Sequence, residues 1–214
     1  LSTNSSYAGF QSITNRAGGT IGAISGAVGT LTNAGTINGG VSSAIDTGTA
    51  YSSAIYGSSW TNSGTITNTG TATTLANLRS ITLTNSGTIS NGGTGIGLAG
   101  STVSVVNQAG GRITTAGSIA IQASTSLSLI NGGTIVGDVL LSPGPFSTGF
   151  SNDSTIDNSD GTIIGNVGFG AAARDLSGDD RLIVGYANGA IRTGISGTIN
   201  GGSGIDTLQV RFKS

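Results

Sequence analysis

The stretch Leu83-Thr84-Asn85-Ser86-Gly87-Thr88-Ile89 decides the fold, because the chain repeats it. Close copies are Leu31-Thr32-Asn33-Ala34-Gly35-Thr36-Ile37 and Trp60-Thr61-Asn62-Ser63-Gly64-Thr65-Ile66, and looser copies start at Ile13, Val105, Leu129 and Ile156. Successive asparagines are separated by 18, 29, 23, 22, 24 and 27 residues. A period of about 20 to 50 residues is typical of solenoids, propellers and arrays. The seven repeated asparagines are Asn15, Asn33, Asn62, Asn85, Asn107, Asn131 and Asn158.

The composition of the repeat favours strands over helices. Thr, Ser, Asn and Gly dominate it, and these residues are suited to strands, turns and caps. Runs such as Ile81-Thr82-Leu83 alternate apolar and polar residues, which indicates half-buried strands. Because the spacing is not that of paired hairpins, we favour stacked coils over a meander with Asn-Ser-Gly turns. The sequence therefore predicts an all-β fold, a single-stranded right-handed parallel β-helix (solenoid) of about eight coils.

Each residue type that recurs in the repeat has an expected structural role within such a coil. The asparagines are expected to form a structural ladder, each amide bonding the coils above and below. The following glycine is expected to supply the positive φ of a tight corner. Trp60 stands where other copies have Leu or Ile, so we expect it to point inward.

Length and composition limit the class of protein. The chain has 214 residues, 39 of them Gly and only 8% charged, against about 25% charged in ordinary globular proteins. The net charge of −1 gives no reason to expect nucleic acid or an anionic membrane as partner. Cysteine and histidine are absent, which excludes disulfides and thiolate chemistry, and we expect no cofactor.

The chain is expected to be one β-helix over residues 1–214. Residues 1–170 carry the regular repeat, whereas residues 171–214 form variant coils with Gly-Asp-rich turns. The sequence begins mid-pattern at Leu1 and ends on the strand-like Leu208-Gln209-Val210-Arg211-Phe212, so we expect a fragment of a longer protein.

Two excursions interrupt the repeat and are candidate recognition segments. The first, 41–59, carries Tyr51 and Tyr56, which could stack on a sugar ring or a partner surface. The second, 142–152, contains two prolines, which oppose ladder pairing, together with Phe146 and Phe150. Loops on a rigid scaffold carry function more often than the scaffold does.

The aspartates offer two weaker hypotheses. Gly201-Gly202-Ser203-Gly204-Ile205-Asp206-Thr207-Leu208 matches a calcium-binding nonapeptide, and Asp180 lies 26 residues before Asp206. Calcium needs six to eight oxygen ligands, so tight turns are the simpler interpretation. Asp153, Asp157 and Asp160 could be glycosidase-like carboxylates, but no His or Glu accompanies them and the nearest arginine in sequence is Arg174. We therefore predict no enzyme.

Ice binding is a further alternative for a threonine-rich chain. It needs a long Thr-x-Thr array, and the sequence supplies only Thr82-x-Thr84 and scattered neighbours such as Thr65-x-Thr67. On this evidence we do not favour it.

Two features resemble the passenger domains of bacterial type V autotransporters. They are the Leu-Thr-Asn-Ser-Gly-Thr-Ile repeat and the tail block formed by Gly178-Asp179-Asp180-Arg181-Leu182 and Ile199–Leu208. The resemblance implies an extracellular or cell-surface rod, exported across the outer membrane and displayed by a C-terminal outer-membrane barrel.

The resemblance also implies a function in adhesion and virulence. The expected partners are a host-cell surface, a matrix protein or glycan, other bacteria, or a second rod by self-association. The alternative is a β-helix that binds or cleaves polysaccharide. A third possibility is a spacer stiffened by calcium near Asp180 and Asp206.

Overall fold

The computed structural model describes residues 10–26, 28–42, 58–141, 153–170 and 178–212. Strands account for most of these residues. The described residues contain no helix, and thus none long and apolar enough to cross a membrane. The strands are β1 Phe10–Asn15, β2 Thr20–Ile21, β3 Ile24–Ser25, β4 Val28–Asn33, β5 Thr36–Asn38, β6 Val41–Ser42, β7 Ser58–Asn62, β8 Thr65–Asn68, β9 Leu75–Asn85, β10 Thr88–Asn91, β11 Leu98–Asn107, β12 Arg112–Asn131, β13 Thr134–Leu141, β14 Thr155–Asn158, β15 Thr162–Ile164, β16 Val167–Gly168, β17 Arg181–Ala187, β18 Ala190–Arg192, β19 Ile199–Asn200 and β20 Thr207–Phe212.

The strands pair in parallel with strands one coil further along the chain. Strands β1, β2 and β3 pair with β4, β5 and β6, which in turn pair with β7, β8 and β9. All described strands belong to one sheet. The predicted all-β, parallel architecture is confirmed, and the winding fits a parallel β-helix.

One pair of strands in the described part is antiparallel. β17 and β18 form a hairpin whose turn is Asn188-Gly189, with φ angles of 53° and 78°. Asn-Gly with positive φ at both positions is the preferred chemistry of a two-residue hairpin turn. We did not predict this hairpin from the Asn-Gly pair, because we interpreted residues 171–214 only as variant coils.

The interior consists of three columns of aliphatic side chains, one for each strand of a coil. Trp60 takes its place in the first column, directly beside Leu31 and Leu83, and is only 2% exposed, as expected. Burial of a Leu or Ile side chain contributes about 1.5–3 kcal/mol, so each coil gains stability from its neighbours. The columns are Ile13, Leu31, Trp60, Leu83, Val105, Leu129, Ile156 and Leu182; Ile37, Ile66, Ile89, Ile113, Ile135 and Ile163; and Ile24, Val41, Leu75, Leu98, Ile121, Val139 and Val167.

The seven repeated asparagines form a buried column beside the first aliphatic column. Nδ2 of each of the first six donates to Oδ1 of the asparagine in the next coil, over distances of 2.7–2.9 Å. Nδ2 of the last, Asn158, donates instead to the carbonyl oxygen of Thr193 at 2.7 Å. Asn85 illustrates the arrangement: its Nδ2 also donates to the carbonyl oxygens of Gly87 at 3.1 Å and Arg112 at 3.3 Å. The amides are thereby paired in the interior, where an unpaired polar group costs about 1–3 kcal/mol.

The glycines after the asparagines serve a purpose other than the expected positive φ. Gly35, Gly64 and Gly87 do not have positive φ angles. A Cβ on Gly64 would instead overlap the carbonyl oxygen of Gly35, and one on Gly87 would overlap that of Gly64. Positive φ occurs instead at the four-residue corners that follow Asn15 and Asn107, where Gly18 and Gly110 have φ angles of 78° and 83°. The short corner therefore requires glycine because successive coils approach closely there.

Replacement of Asn85 by alanine tests the asparagine column. The variant leaves Nδ2 of Asn62 and Oδ1 of Asn107 without their partner, so we expect a loss of about 2–4 kcal/mol in the free energy of unfolding, measured by urea denaturation. The matched control is Asn38→Ala, since Asn38 is exposed on β5 and should change stability by less than about 0.5 kcal/mol. Equal losses in both variants would contradict a stabilising role of the column.

Replacement of Gly64 by alanine tests the corner. The added Cβ has to push two coils apart, so we expect a loss of about 1–3 kcal/mol in the free energy of unfolding. Gly22→Ala is the control, because a Cβ there meets no atom within 4 Å. It should be neutral or stabilise by up to about 1 kcal/mol through the unfolded state. A Gly64→Ala variant as stable as the control would show that close approach does not select this glycine.

Candidate functional site

Four aspartates from three neighbouring coils meet near the start of β14, β17 and β20. Thr155 pairs with Arg181, and Arg181 pairs with Thr207. One register position earlier, the same stacking places Ser154, Asp180 and Asp206 in one row, and Asp153 and Asp179 in the next. The spacing of 26 residues between Asp180 and Asp206 is thus one coil.

These carboxylates accept hydrogen bonds from the backbone of neighbouring coils. Oδ1 of Asp153 accepts from the N–H of Asp179 at 3.0 Å, and Oδ1 of Asp179 accepts from Ile205 at 2.9 Å. Oδ1 of Asp206 accepts from the N–H of Asp180 at 3.1 Å. The aspartates therefore connect coils where the asparagine column has ended.

Asp180 is the least solvated of the group. It is 2% exposed, and its Oδ1 accepts from the N–H of Ser154 at 2.7 Å, whereas its Oδ2 has no hydrogen-bond partner in the described part of the chain. Burial raises the pKa of Asp180 to about 6; the hydrogen bond from Ser154 opposes the rise, and the neighbouring carboxylates Asp206, Asp153 and Asp179 add to it.

The described residues do not contain three acidic side chains grouped so as to hold a metal ion. The calcium hypothesis for Asp180 and Asp206 thus finds no ligand set there. One carboxylate oxygen of each of these residues already accepts a backbone N–H.

Asp157 forms an ion pair that the sequence reasoning missed. Its Oδ2 accepts from Nη1 of Arg211 at 2.5 Å, and its Oδ1 from the N–H of Ser159 at 3.1 Å. Burial alone would raise the pKa of Asp157, but the hydrogen bonds from Ser159 and the Arg211 guanidinium outweigh it and lower the pKa. Arg211 is 54 residues away and two coils distant, so only the stacking reveals it.

The aromatic candidates lie in excursions of the chain. Tyr51, Tyr56, Phe146 and Phe150 lie outside the described residues. The described part instead contains a pair that we had not singled out: the rings of Tyr186 and Phe212 lie 4.7 Å apart between centroids, and Phe212 is 69% exposed.

A regular polar surface covers the outside of the first strand of successive coils. Alternate residues of this strand point inward and outward, and the outward positions stack in two columns. We call these twelve positions the hydroxyl face: Ser12, Thr30, Ser59, Thr82, Ser104 and Ser128 in one column, and Thr14, Thr32, Thr61, Thr84, Val106 and Ile130 in the other.

The hydroxyl face carries no charge and is open to solvent over its N-terminal coils. Seven of its first eight residues are exposed, and Thr84 is half-buried. Its hydroxyl groups do not hydrogen-bond to any described residue. From the sequence we singled out Thr82-x-Thr84 and Thr65-x-Thr67 and missed Thr30-x-Thr32. The strand register shows which of these residues stack.

Comparison with known proteins identifies no relative: no family model, curated protein or solved structure matches the chain.

The stability of the protein should depend on pH through Asp180. Because its folded pKa of about 6 exceeds the ordinary 3.8, the folded state binds more protons between these values, and stability should fall as the pH rises from about 4 to 6. Thermal unfolding across this range measures the effect. Asp180→Asn, which keeps an oxygen acceptor for Ser154, should abolish this component of the fall.

Asp157 provides the control for that experiment. Its pKa is lowered, so its contribution to stability is lost only as the pH falls below 3.8, outside the Asp180 window. Asp157→Asn should therefore leave the slope between pH 4 and 6 in place. An unchanged slope in Asp180→Asn would show that another group causes it.

Proposed function

We propose that the chain is a non-enzymatic adhesin stalk, a right-handed parallel β-helix of about eight coils that displays binding surfaces outside the cell. The observation that carries this proposal is the asparagine column with its unbroken register. It ties successive coils into a stiff unit whose outer faces present repeated polar groups. Such a scaffold is suited to many weak contacts along its length, which together give avidity.

The state of the carboxylates supports a non-enzymatic function. Asp157 is engaged by Arg211 and Ser159, and Asp153 accepts a backbone N–H from Asp179. A glycosidase requires one carboxyl group that protonates the leaving group and a second that acts as base or nucleophile, both open to the substrate. Carboxylates that hold coils together are poorly suited to these roles. Asp153 and Asp157 are therefore weak candidates for polysaccharide cleavage.

The sequence resemblance to autotransporter passengers supplies the proposed setting. The rod would be displayed at the bacterial surface by a C-terminal outer-membrane barrel. Its partners would be a host-cell surface, a matrix protein or glycan, or a second rod. The excursions 41–59 and 142–152 are the proposed recognition segments, with Tyr51, Tyr56, Phe146 and Phe150 as contact residues.

Beads coated with the purified chain test the proposal on cultured cells, immobilised matrix proteins and bacterial lawns. We expect saturable attachment to at least one surface. Because the chain has a net charge of only −1, attachment should change little at raised salt, where charge-driven contacts weaken. The combined variant Tyr51→Ala and Tyr56→Ala should reduce attachment, and the matched variant Tyr186→Ala should not.

Two outcomes would overturn the adhesin proposal. One is the absence of attachment to every surface in the panel. The other is release of new reducing ends from a polysaccharide that is lost in Asp157→Asn, because this would establish a glycan-cleaving enzyme.

A further inference from the structure

The hydroxyl face is unusually regular in its four N-terminal coils. Ser12 and Thr14 pair with Thr30 and Thr32, which pair with Ser59 and Thr61, and these with Thr82 and Thr84. No register shift interrupts these pairings. The result is a lattice of eight hydroxyl side chains, with a repeat of about 4.8 Å between coils and about 6.7 Å between alternate residues of a strand.

The interior beneath the hydroxyl face keeps this lattice fixed. Asn15, Asn33, Asn62 and Asn85 lie on the same four strands as the eight hydroxyl residues, and their amides bond from coil to coil. Six of the eight side chains are threonines, whose β-branching restricts their rotamers. The hydroxyl and methyl groups are thus ordered before any ligand arrives.

The chemistry of the hydroxyl face disfavours anionic ligands and ligands that bind by stacking. It has no charge for phosphate or carboxylate groups and no aromatic ring on which a sugar or base could stack. A single hydroxyl group gains little by exchanging one water for one ligand atom. Useful affinity therefore requires a ligand that engages many hydroxyls at once, at the same repeat.

We expect the surface of a crystal of water to be a ligand of this kind. Its oxygen atoms repeat in two dimensions, they donate and accept hydrogen bonds as a hydroxyl does, and its ordered cages accommodate methyl groups. Val106 and Ile130 continue the β-branched column into the next two coils, so the change from hydroxyl to methyl preserves the shape of the face. We propose that the hydroxyl face binds the surface of ice. This goes beyond attachment to cells or matrix, because it requires no receptor.

Ice-affinity partition and inhibition of ice recrystallisation test the proposal with the whole 214-residue chain. We expect the chain to enrich in a slowly grown ice phase and to keep ice grains small. Thr32→Lys and Thr61→Lys, made separately, each place a strongly hydrated ammonium in the centre of the lattice. Each should reduce the partition into ice by about tenfold, because the charge cannot leave water without cost.

Thr20→Lys is the matched control. Thr20 is exposed on β2, a different strand of the first coil, and the same charge there should leave the partition unchanged. Because all three threonines are exposed, circular dichroism and the thermal midpoint should agree among the variants, which separates loss of binding from loss of folding.

Several results would overturn the inference. These are a wild-type chain that is excluded from ice like an inert protein, equal losses in Thr61→Lys and Thr20→Lys, or retention by an insoluble polysaccharide that Thr61→Lys abolishes while ice partition stays at background. None of these decides the adhesin proposal, because bead attachment is measured in the absence of ice and depends on different residues.

Discussion

The structure depends on one interaction, the hydrogen bond from Nδ2 of one buried asparagine to Oδ1 of the next. A buried amide needs partners, and for Asn85 the equivalent residues of the two neighbouring coils supply them together with nearby backbone carbonyls. Shifting a strand by one residue would expose the aliphatic side chain and leave the amide unpaired. The asparagine column therefore fixes the register of coils whose lengths range from 18 to 29 residues.

The register in turn determines what the rest of each coil can be. Where the corner after the asparagine is short, successive backbones approach so closely that Gly64 and Gly87 leave no room for a Cβ. On the inner side, Leu31, Trp60 and Leu83 stack without loss of contact, although one of them is much larger. On the outer side, the same stacking aligns residues that are far apart in sequence. The alignment of the outer residues is thus a consequence of the hydrogen bonds within the asparagine column.

The sequence was sufficient to predict the parallel all-β architecture and to single out the asparagines, because both follow from a visible repeat. It was not sufficient for features that require the register. Arg211 and Asp157 become neighbours only when the corner lengths are known. Thr32 and Thr61, in contrast, hold the same position in two copies of the repeat, so their pairing was available from the sequence. The hairpin at Asn188-Gly189 did have a local signal, and the expectation of uninterrupted coils concealed it. The expected positive φ at the short corners was wrong, because close approach also selects glycine.

The C-terminal coils solve the problem of register differently, and this bears on function. The position after Asn158 in the column is Val184, which cannot continue the chain of amides. Coils are joined there by carboxylates that accept hydrogen bonds from backbone N–H groups, and burial raises the pKa of Asp180. Carboxylates used in this way connect successive coils. The outward hydroxyl residues of the N-terminal coils lie on the opposite side of the strand from these interior contacts, and the binding that we propose uses that outer surface.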